Sequence, residues 1–91
     1  MQLLAVRIRI TGRVQGVGFR NALYERAVGL DVRGFVRNRA DGTIEAHAVG
    51  SQQAIDELVA WCHKGPPMAS VTDISVEPLE DTPVYSAFVH L

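Results

Sequence analysis

The stretch from Gly12 to Asn21, with the sequence GRVQGVGFRN, has the residue types of an anion-binding loop. It holds three glycines and two arginines, and it contains no acidic residue. Glycines let the main chain turn tightly and approach a ligand closely, because no Cβ intervenes. If a strand precedes this loop and a helix follows it, unpaired amides and the positive end of the helix dipole face the same anion. Arg20 then adds a planar fork of donors, a geometry that favours a bidentate contact with phosphate.

Two familiar phosphate-binding motifs do not fit this loop. A P-loop requires a second glycine five residues after the first, followed by Lys, but Val17 stands five residues after Gly12. The dinucleotide fingerprint requires a glycine three residues after Gly18, and that position is Asn21. Three glycines also occur in tight turns that bind nothing, and on its position alone Arg20 could be an ordinary surface arginine. The loop therefore needs support from the rest of the sequence.

Longer motifs supply that support. GRVQGVGFR at 12–20 and GFVRNRADGTIE at 34–45 together resemble the acylphosphatase family, as do Gly-Pro-Pro at 65–67 and Ala87-Phe88. The resemblance covers roughly residues 5–90. It implies a ferredoxin-like fold and metal-free hydrolysis of the carboxyl–phosphate bond of acyl phosphates. It also implies that the loop main chain and Arg20 bind the phosphate, while Asn38 orients the attacking water.

The predicted site consists of two catalytic side chains and one main-chain loop. Arg20 and Asn38 are the catalytic side chains, although Asn38, close before Asp41-Gly42, could also serve only the turn. An acyl phosphate leaves as a carboxylate, a weak base that needs no proton, which suits a motif without Asp, Glu or His. We expect no cofactor and no metal, since the three histidines lack ligand spacing. The predicted phosphate-binding loop comprises Gly12, Arg13, Val14, Gln15, Gly16, Val17 and Gly18.

Length and composition limit the class of protein that can carry this site. The chain has 91 residues, of which 47% are apolar and 21% charged, and this predicts one globular domain over residues 1–91. No apolar run approaches 18 residues, and the opening MQLLAVRIRI predicts a strand rather than a signal peptide. Cys62, the sole cysteine, lies on the apolar stripe of a predicted helix, which favours a buried, inert thiol. One cysteine excludes an internal disulfide and suits a reducing compartment, so we expect a cytoplasmic protein.

The charges are divided unevenly along the chain. Residues 1–40 carry eight arginines and two acidic residues, whereas residues 41–91 carry one lysine and eight acidic residues. The net charge of −1 therefore hides a balance of +6 against −7. Such a division indicates either an anion site in the basic half or pairing of opposite charges across strands.

Hydrophobic periodicity predicts the elements that position the site. Alternation of apolar and polar residues predicts strands, and apolar residues three or four apart predict helices. The predicted order is βαββαβ with a short additional C-terminal strand, which gives an α+β, ferredoxin-like sandwich with both helices on one face of a mostly antiparallel sheet. The open face is then lined by Arg7, Arg9, Arg33, Arg37, Glu45 and His47. The predicted strands are 4–11, 32–38, 43–49, 71–77 and 84–90, the last following Pro83, and the predicted helices are 20–30 and the segment from the N-cap Ser51 to Lys64.

Two other functions use related folds. An RNA-recognition domain stacks bases on aromatic residues of its central strands, but here those positions are charged and Phe35 stands alone on the neighbouring strand. An acylphosphatase-like module also begins larger carbamoyl-phosphate-using maturation proteins, but no zinc-finger cysteines follow here. We therefore expect a free-standing, monomeric enzyme whose partners are a small acyl phosphate and inorganic phosphate, as product and inhibitor, with neither nucleic acid nor membrane.

One position departs from the family pattern near the site-bearing helix. Asp31 follows Leu30 where the family usually has glycine. Aspartate tolerates a left-handed conformation better than most residues but less well than glycine. We expect a modest local cost in stability and no loss of activity.

Overall fold

The computed structural model describes residues 3–81 and 84–91, and within them the chain forms five strands and two helices. Met1 and Gln2 of the opening stretch, and Pro83 before the predicted last strand, lie outside these ranges. The strands are β1 (Leu4–Arg13), β2 (Arg33–Asn38), β3 (Ile44–Gly50), β4 (Ser70–Pro78) and β5 (Phe88–His90), and the helices are α1 (Phe19–Gly29) and α2 (Gln52–Lys64).

The five strands form one sheet in the order β4-β1-β3-β2-β5. β1 is antiparallel to both β3 and β4, and β2 is antiparallel to β3, whereas β5 runs parallel to β2. The predicted βαββαβ plan with an additional terminal strand is confirmed, with β1 and β3 in the centre. Since β1, β2 and β5 all run in the same direction, their C-terminal ends meet at one edge of the sheet.

The core lies between the helices and one face of the sheet. On β1 the alternation turns Ile8 and Ile10 inward, where both are fully buried. Leu23 of α1 and Leu58 of α2 are also fully buried against this face. Full burial of an aliphatic side chain stabilises a protein by about 1.5–3 kcal/mol, so these contacts hold both helices on the sheet.

Strand β1 is longer than the alternation predicts. It continues past the predicted end at Thr11 because β4 stays paired with it through a bulge between Thr11 and Gly12. A Cβ on Gly12 would clash with the carbonyl oxygen of Ser70, so only glycine at this position lets the two strands lie this close together. Gly12 and Arg13 therefore belong to β1, and the loop begins at Val14.

Other boundaries also shift. The last strand begins at Phe88 rather than at residue 84, because β5 pairs with β2 over three residues, from Phe88 to His90. Helix α1 starts one residue earlier than predicted, at Phe19, and ends at Gly29. Edges of this kind are set by pairing partners and caps, and hydrophobic periodicity does not contain that information.

Helix α2 buries the cysteine as the sequence predicts. Cys62 is fully buried, and this burial raises the pKa of its thiol to about 12. The neighbouring Trp61 packs edge-on against Phe19, with ring centroids 5.4 Å apart, so its ring helps to join the two helices. Neither helix in the described ranges has the length and apolarity needed to cross a membrane.

Helix α1 ends in a Schellman motif centred on Asp31. The amide of Val32 donates to the carbonyl oxygen of Ala27 at 2.9 Å, and the amide of Asp31 donates to that of Val28 at 3.1 Å. This closure gives Asp31 a φ of 58°, and it is the one non-glycine residue with positive φ in the described chain. The left-handed conformation considered from the sequence is thus present.

We predict that Asp31→Gly stabilises the protein by about 0.5–1 kcal/mol, because glycine adopts this conformation without the Cβ penalty. Urea unfolding at neutral pH measures the change. Asp31→Asn is the matched control, since it removes the carboxylate from the negative end of the helix dipole and keeps a side chain. Equal stability of the two variants would contradict the conformational explanation.

Candidate active site

The loop between β1 and α1 spans residues 14–18 and is anchored at both ends. Val14 enters the core at its start and Phe19 enters it just after its end, each with 1% of its surface exposed. Between these anchors, Gly16 and Gly18 have φ values of 75° and 80°, a left-handed conformation that glycine adopts most readily. The loop therefore has a defined path over an apolar base, and both glycines face solvent.

Helix α1 begins without a side-chain cap. Its N-cap residue is Gly18, and its first main-chain bond runs from the Ala22 amide to the Gly18 carbonyl oxygen at 3.0 Å. In the described part of the chain, no side chain accepts a hydrogen bond from the amides of residues 14–21, and residues 15–18 form a main-chain turn. Helix α2 shows the usual alternative, since Ser51 Oγ accepts a hydrogen bond from the Ala54 amide at 3.1 Å. The first turn of α1 thus keeps free donors and positive dipole potential for an anion.

Arg20 lies beside these donors. Its guanidinium is half-buried, and Nη1 donates a hydrogen bond to the main-chain oxygen of Leu91 at 2.9 Å. The remaining guanidinium donors keep their capacity for a further acceptor. Arg20 therefore supplies a positive charge whose position is fixed from the end of β5.

The loop, Arg20 and Asn38 border one open cavity of about 400 Å³. Asn38 is the last residue of β2, and it reaches the cavity because β1 and β2 end at the same edge of the sheet. The cavity is lined by Val14, Gly16, Gly18, Phe19, Arg20, Asn21, Asn38 and His90.

The side chain of Gln15 fastens the loop to the turn that follows Asn38. Its Nε2 donates to the carbonyl oxygen of Arg39 at 2.8 Å and to that of Thr43 at 2.9 Å. Within the turn, the Thr43 amide donates to Asp41 Oδ1 at 3.0 Å, and the Thr43 hydroxyl donates to the same oxygen at 2.6 Å. The hydroxyl bond is the main cause that lowers the pKa of Asp41. One side chain thereby fixes the spacing between the amide-rich loop and Asn38.

Glu45 holds the residues on either side of Asn38 from the opposite face of the sheet. Its Oε1 accepts from Arg37 Nε at 2.7 Å and from Arg39 Nη1 at 3.1 Å. The open-face prediction for Glu45 is wrong in one respect, since Glu45 is 96% buried beneath these two arginines, 4% of its surface being exposed. Burial raises the pKa of this carboxyl, but the bonds to Arg37 and Arg39 outweigh burial, and the net pKa is lowered.

The open face also carries aromatic residues that the alternation does not group. Phe35 stacks on the ring of His47, with centroids 4.4 Å apart, and Tyr85 approaches Phe35 at 6.2 Å. Phe35 therefore has aromatic neighbours and does not stand alone. Because its ring face is covered by His47, this arrangement leaves little of the stacking surface that RNA-recognition sheets use.

The structure brings most of the predicted site residues together. Among them, Val14, Gly16, Gly18, Arg20 and Asn38 border the cavity. Gln15 donates through its side chain to the turn after Asn38, and Val17 packs partly against the core. Gly12 and Arg13 lie within β1, paired with β4.

Three cavity residues lie outside the predicted site: Phe19, Asn21 and His90. Asn21 directly follows Arg20, so the position of the motif at a helix start was a usable signal for it. His90 reaches the cavity through the parallel pairing of β5 with β2, which nothing in the spacing of residues indicates. In the ranges that the structure describes, no three His, Cys, Asp or Glu side chains are grouped as metal ligands would be.

The chain matches known proteins over nearly its whole length. The family model described as Acylphosphatase matches residues 6–90. A curated acylphosphatase of Acidiphilium cryptum (strain JF-5) is 48% identical over 87 residues, covering 96% of this chain and 94% of that protein. The crystal structure of an acylphosphatase from Bacillus subtilis superposes with a TM-score of 0.93 at 37% identity, covering 99% of each chain. A full-length HypF in a phosphate- and nucleotide-bound form contains a similar segment, with a TM-score of 0.92 at 26% identity, covering 99% of this chain and 12% of that one.

We predict that Glu45→Gln destabilises the protein at neutral pH by about 1–3 kcal/mol, because two arginines lose their shared carboxylate. Since the folded-state pKa of Glu45 is lowered, its contribution is fully present above the unfolded value near 4.5 and is lost as pH falls through the folded value. The stability difference between the parent and the variant should therefore shrink on acidification. Urea unfolding of both proteins between neutral and acidic pH measures it, and a difference that stays constant would contradict this role.

Proposed function

Since the chain belongs to the acylphosphatase family, a family of enzymes, we propose that it hydrolyses the carboxyl–phosphate bond of small acyl phosphates in the cavity between the loop and Asn38. Acyl phosphate hydrolysis is the activity that defines this family. The observation that carries the residue assignment is the uncapped start of α1, where Gly16, Gly18 and Asn21 line the same cavity as Arg20 and Asn38. The products are a carboxylate and inorganic phosphate.

The loop amides and Arg20 bind the phosphoryl group. Main-chain donors at a helix start are oriented before the substrate arrives, so no reorganisation is needed as charge develops on the equatorial oxygens. The Arg20 guanidinium, held by the Leu91 oxygen at 2.9 Å, adds a fixed charge to this cradle. Inorganic phosphate fits the same donors, so we propose that the product also inhibits the enzyme.

Asn38 orients the attacking water. Its amide offers both a donor and an acceptor, and a water held in line with the leaving carboxylate is already near its reactive position. An amide is not a base at neutral pH, so the proton of the water passes to a phosphoryl oxygen of the substrate. Phosphorus–oxygen bond formation to the water and cleavage of the bond to the acyl oxygen then yield the carboxylate and dihydrogen phosphate.

The reaction we propose needs no metal. The leaving carboxylate departs without protonation, and the positive potential comes from oriented amides and Arg20. We further propose that one domain over residues 1–91 acts as a monomer in the cytoplasm. The lone buried Cys62 is compatible with a reducing compartment.

Two substitutions separate binding from turnover. We predict that Arg20→Ala weakens inorganic phosphate binding at least tenfold, since a charge-assisted contact contributes about 1.5–3 kcal/mol. We predict that Asn38→Ala leaves phosphate binding within about threefold and lowers kcat for benzoyl phosphate by about a hundredfold or more. Calorimetric titration with phosphate and a spectrophotometric benzoyl phosphate assay measure the two quantities.

Arg33→Ala is the matched control for Arg20→Ala. Arg33 is an exposed arginine at the start of β2, the end of the strand opposite to Asn38, so its loss should leave both phosphate binding and kcat unchanged. Parent-like hydrolysis by both the Arg20 and the Asn38 variants would overturn the residue assignment. Equal losses in all three variants would point to a general effect of positive charge.

We also predict that EDTA leaves benzoyl phosphate hydrolysis unchanged, because amides and Arg20 supply the charge stabilisation. Rates measured before and after prolonged dialysis against the chelator test this expectation. A loss of activity that a divalent cation restores would refute the metal-free reaction. The proposed role of Asn38 in positioning water would still be tested separately by the Asn38→Ala variant.

A further inference from the structure

We propose that His90, in its imidazolium form, is a further binding residue for the phosphoryl group, so that anion affinity in this cavity rises as the pH falls. This inference rests on the proposed function, because it concerns the same cavity. It makes the binding of the dianion, and not only its hydrolysis, dependent on the protonation state of a side chain.

The sheet places His90 at the cavity. β5 runs parallel to β2 with His90 paired to Val36, and the Leu91 amide donates to the Val36 carbonyl oxygen at 2.9 Å. Because paired residues share a face of the sheet, His90 lies on the helix side with the buried Val36. There it lines the same cavity as Arg20 and Asn38.

Helix α1 orients the imidazole ring. The ring of Tyr24 lies against it, with centroids 4.6 Å apart and planes inclined by 35°. Tyr24 is half-buried, whereas His90 is exposed to solvent, so the imidazole has an aromatic wall on one side and water on the other. A ring held in this way can change its protonation state without burying a charge.

The charged and titratable groups around His90 come from two elements. Helix α1 contributes Arg20 and Tyr24, and Arg20 also donates to the main-chain oxygen of Leu91, the residue next to His90. On β2 the nearest charged residue in sequence, Arg37, lies on the opposite face and is bound to Glu45 at 2.7 Å. Beside an empty cavity two cations repel each other, and a dianion between them attracts both.

Binding and protonation are therefore coupled in both directions. If protonation of His90 raises the affinity for a dianion by some factor, binding of the dianion must favour protonation of His90 by the same factor. A charge added at this range changes affinity by about three- to tenfold, which corresponds to a shift of about 0.5–1 pH unit in the titration of the ring.

Sulfate is the probe for the test, because it stays a dianion over the whole range in which histidine titrates. We expect the midpoint of the His90 imidazole titration, followed by NMR of the ring protons, to move up by about 0.5 pH unit or more when sulfate is added. His47 and His63, which lie outside the cavity, are internal controls and should shift by less than about 0.1 unit. An unchanged His90 midpoint in protein saturated with sulfate would overturn the proposal.

A pair of variants gives an independent measurement. The sulfate dissociation constant of the parent should fall about threefold or more from about pH 8 to about pH 5.5, and His90→Gln should abolish this change. His63→Gln, which removes an exposed histidine of α2, should retain it. If His90→Gln keeps the same pH dependence as the parent, the proposal is wrong, and if that variant fails to fold, the NMR titration of the parent still decides.

Failure of this proposal can be distinguished from failure of the proposed function. A parent protein that hydrolyses benzoyl phosphate and binds sulfate with no involvement of His90 would retain the proposed function and refute the role of His90. A parent protein that binds sulfate with coupling to His90 and hydrolyses no acyl phosphate would support the role of His90 and refute the proposed function. Absence of sulfate binding at either pH would refute the role of His90, and the benzoyl phosphate assay alone would then decide the proposed function.

Discussion

Helix α1 begins with amide groups that no side chain in residues 3–81 and 84–91 satisfies, and the rest of the site is arranged around these free donors. A Ser, Thr, Asn or Asp side chain at an N-cap stabilises a helix by satisfying one or two such donors, but Gly18 has a φ of 80°, which these residues adopt only with strain. Helix α1 lacks this stabilising side-chain cap, whereas helix α2 has one, because Ser51 caps its first turn. Burial of Val14 and Phe19 holds the uncapped loop in place, so its donors stay exposed and oriented.

A fixed loop is useful only if the residue opposite to it is fixed as well. Asn38 stands at the end of a strand next to a hairpin turn, a position at which side chains usually have freedom. Gln15 ties that turn to the loop by two hydrogen bonds, and Glu45 binds the arginines on both sides of Asn38. Asn38 is thus held in place by residues distant in sequence. Gln15 acts through the main chain of the turn, and Glu45 acts from the opposite face of the sheet.

The sequence predicted the arrangement of elements well and the edges of elements less well. Strict alternation through Ile8 and Ile10 was sufficient to predict β1, since a strand with one buried face has a clear period of two. The end of that strand depends on β4, which follows it past the bulge at Gly12, and a single segment does not contain information about its partner. Burial of Glu45 likewise depends on the arginines that lie over it.

The residues of the candidate site also divide into those that the sequence predicted and those that it did not. A glycine-rich loop ahead of a helix indicated free amides, and the motifs that resemble a known family brought Arg20 and Asn38 together, which periodicity alone did not. His90 was not predicted because the parallel pairing of β5 has no signature in residue spacing.

The burial of Cys62 in the core, with its thiol pKa near 12, has a practical consequence. A cysteine introduced at an exposed position such as Val28 would be the single thiol open to maleimide dyes, so a fluorophore could be attached to α1 without first removing the native sulfur.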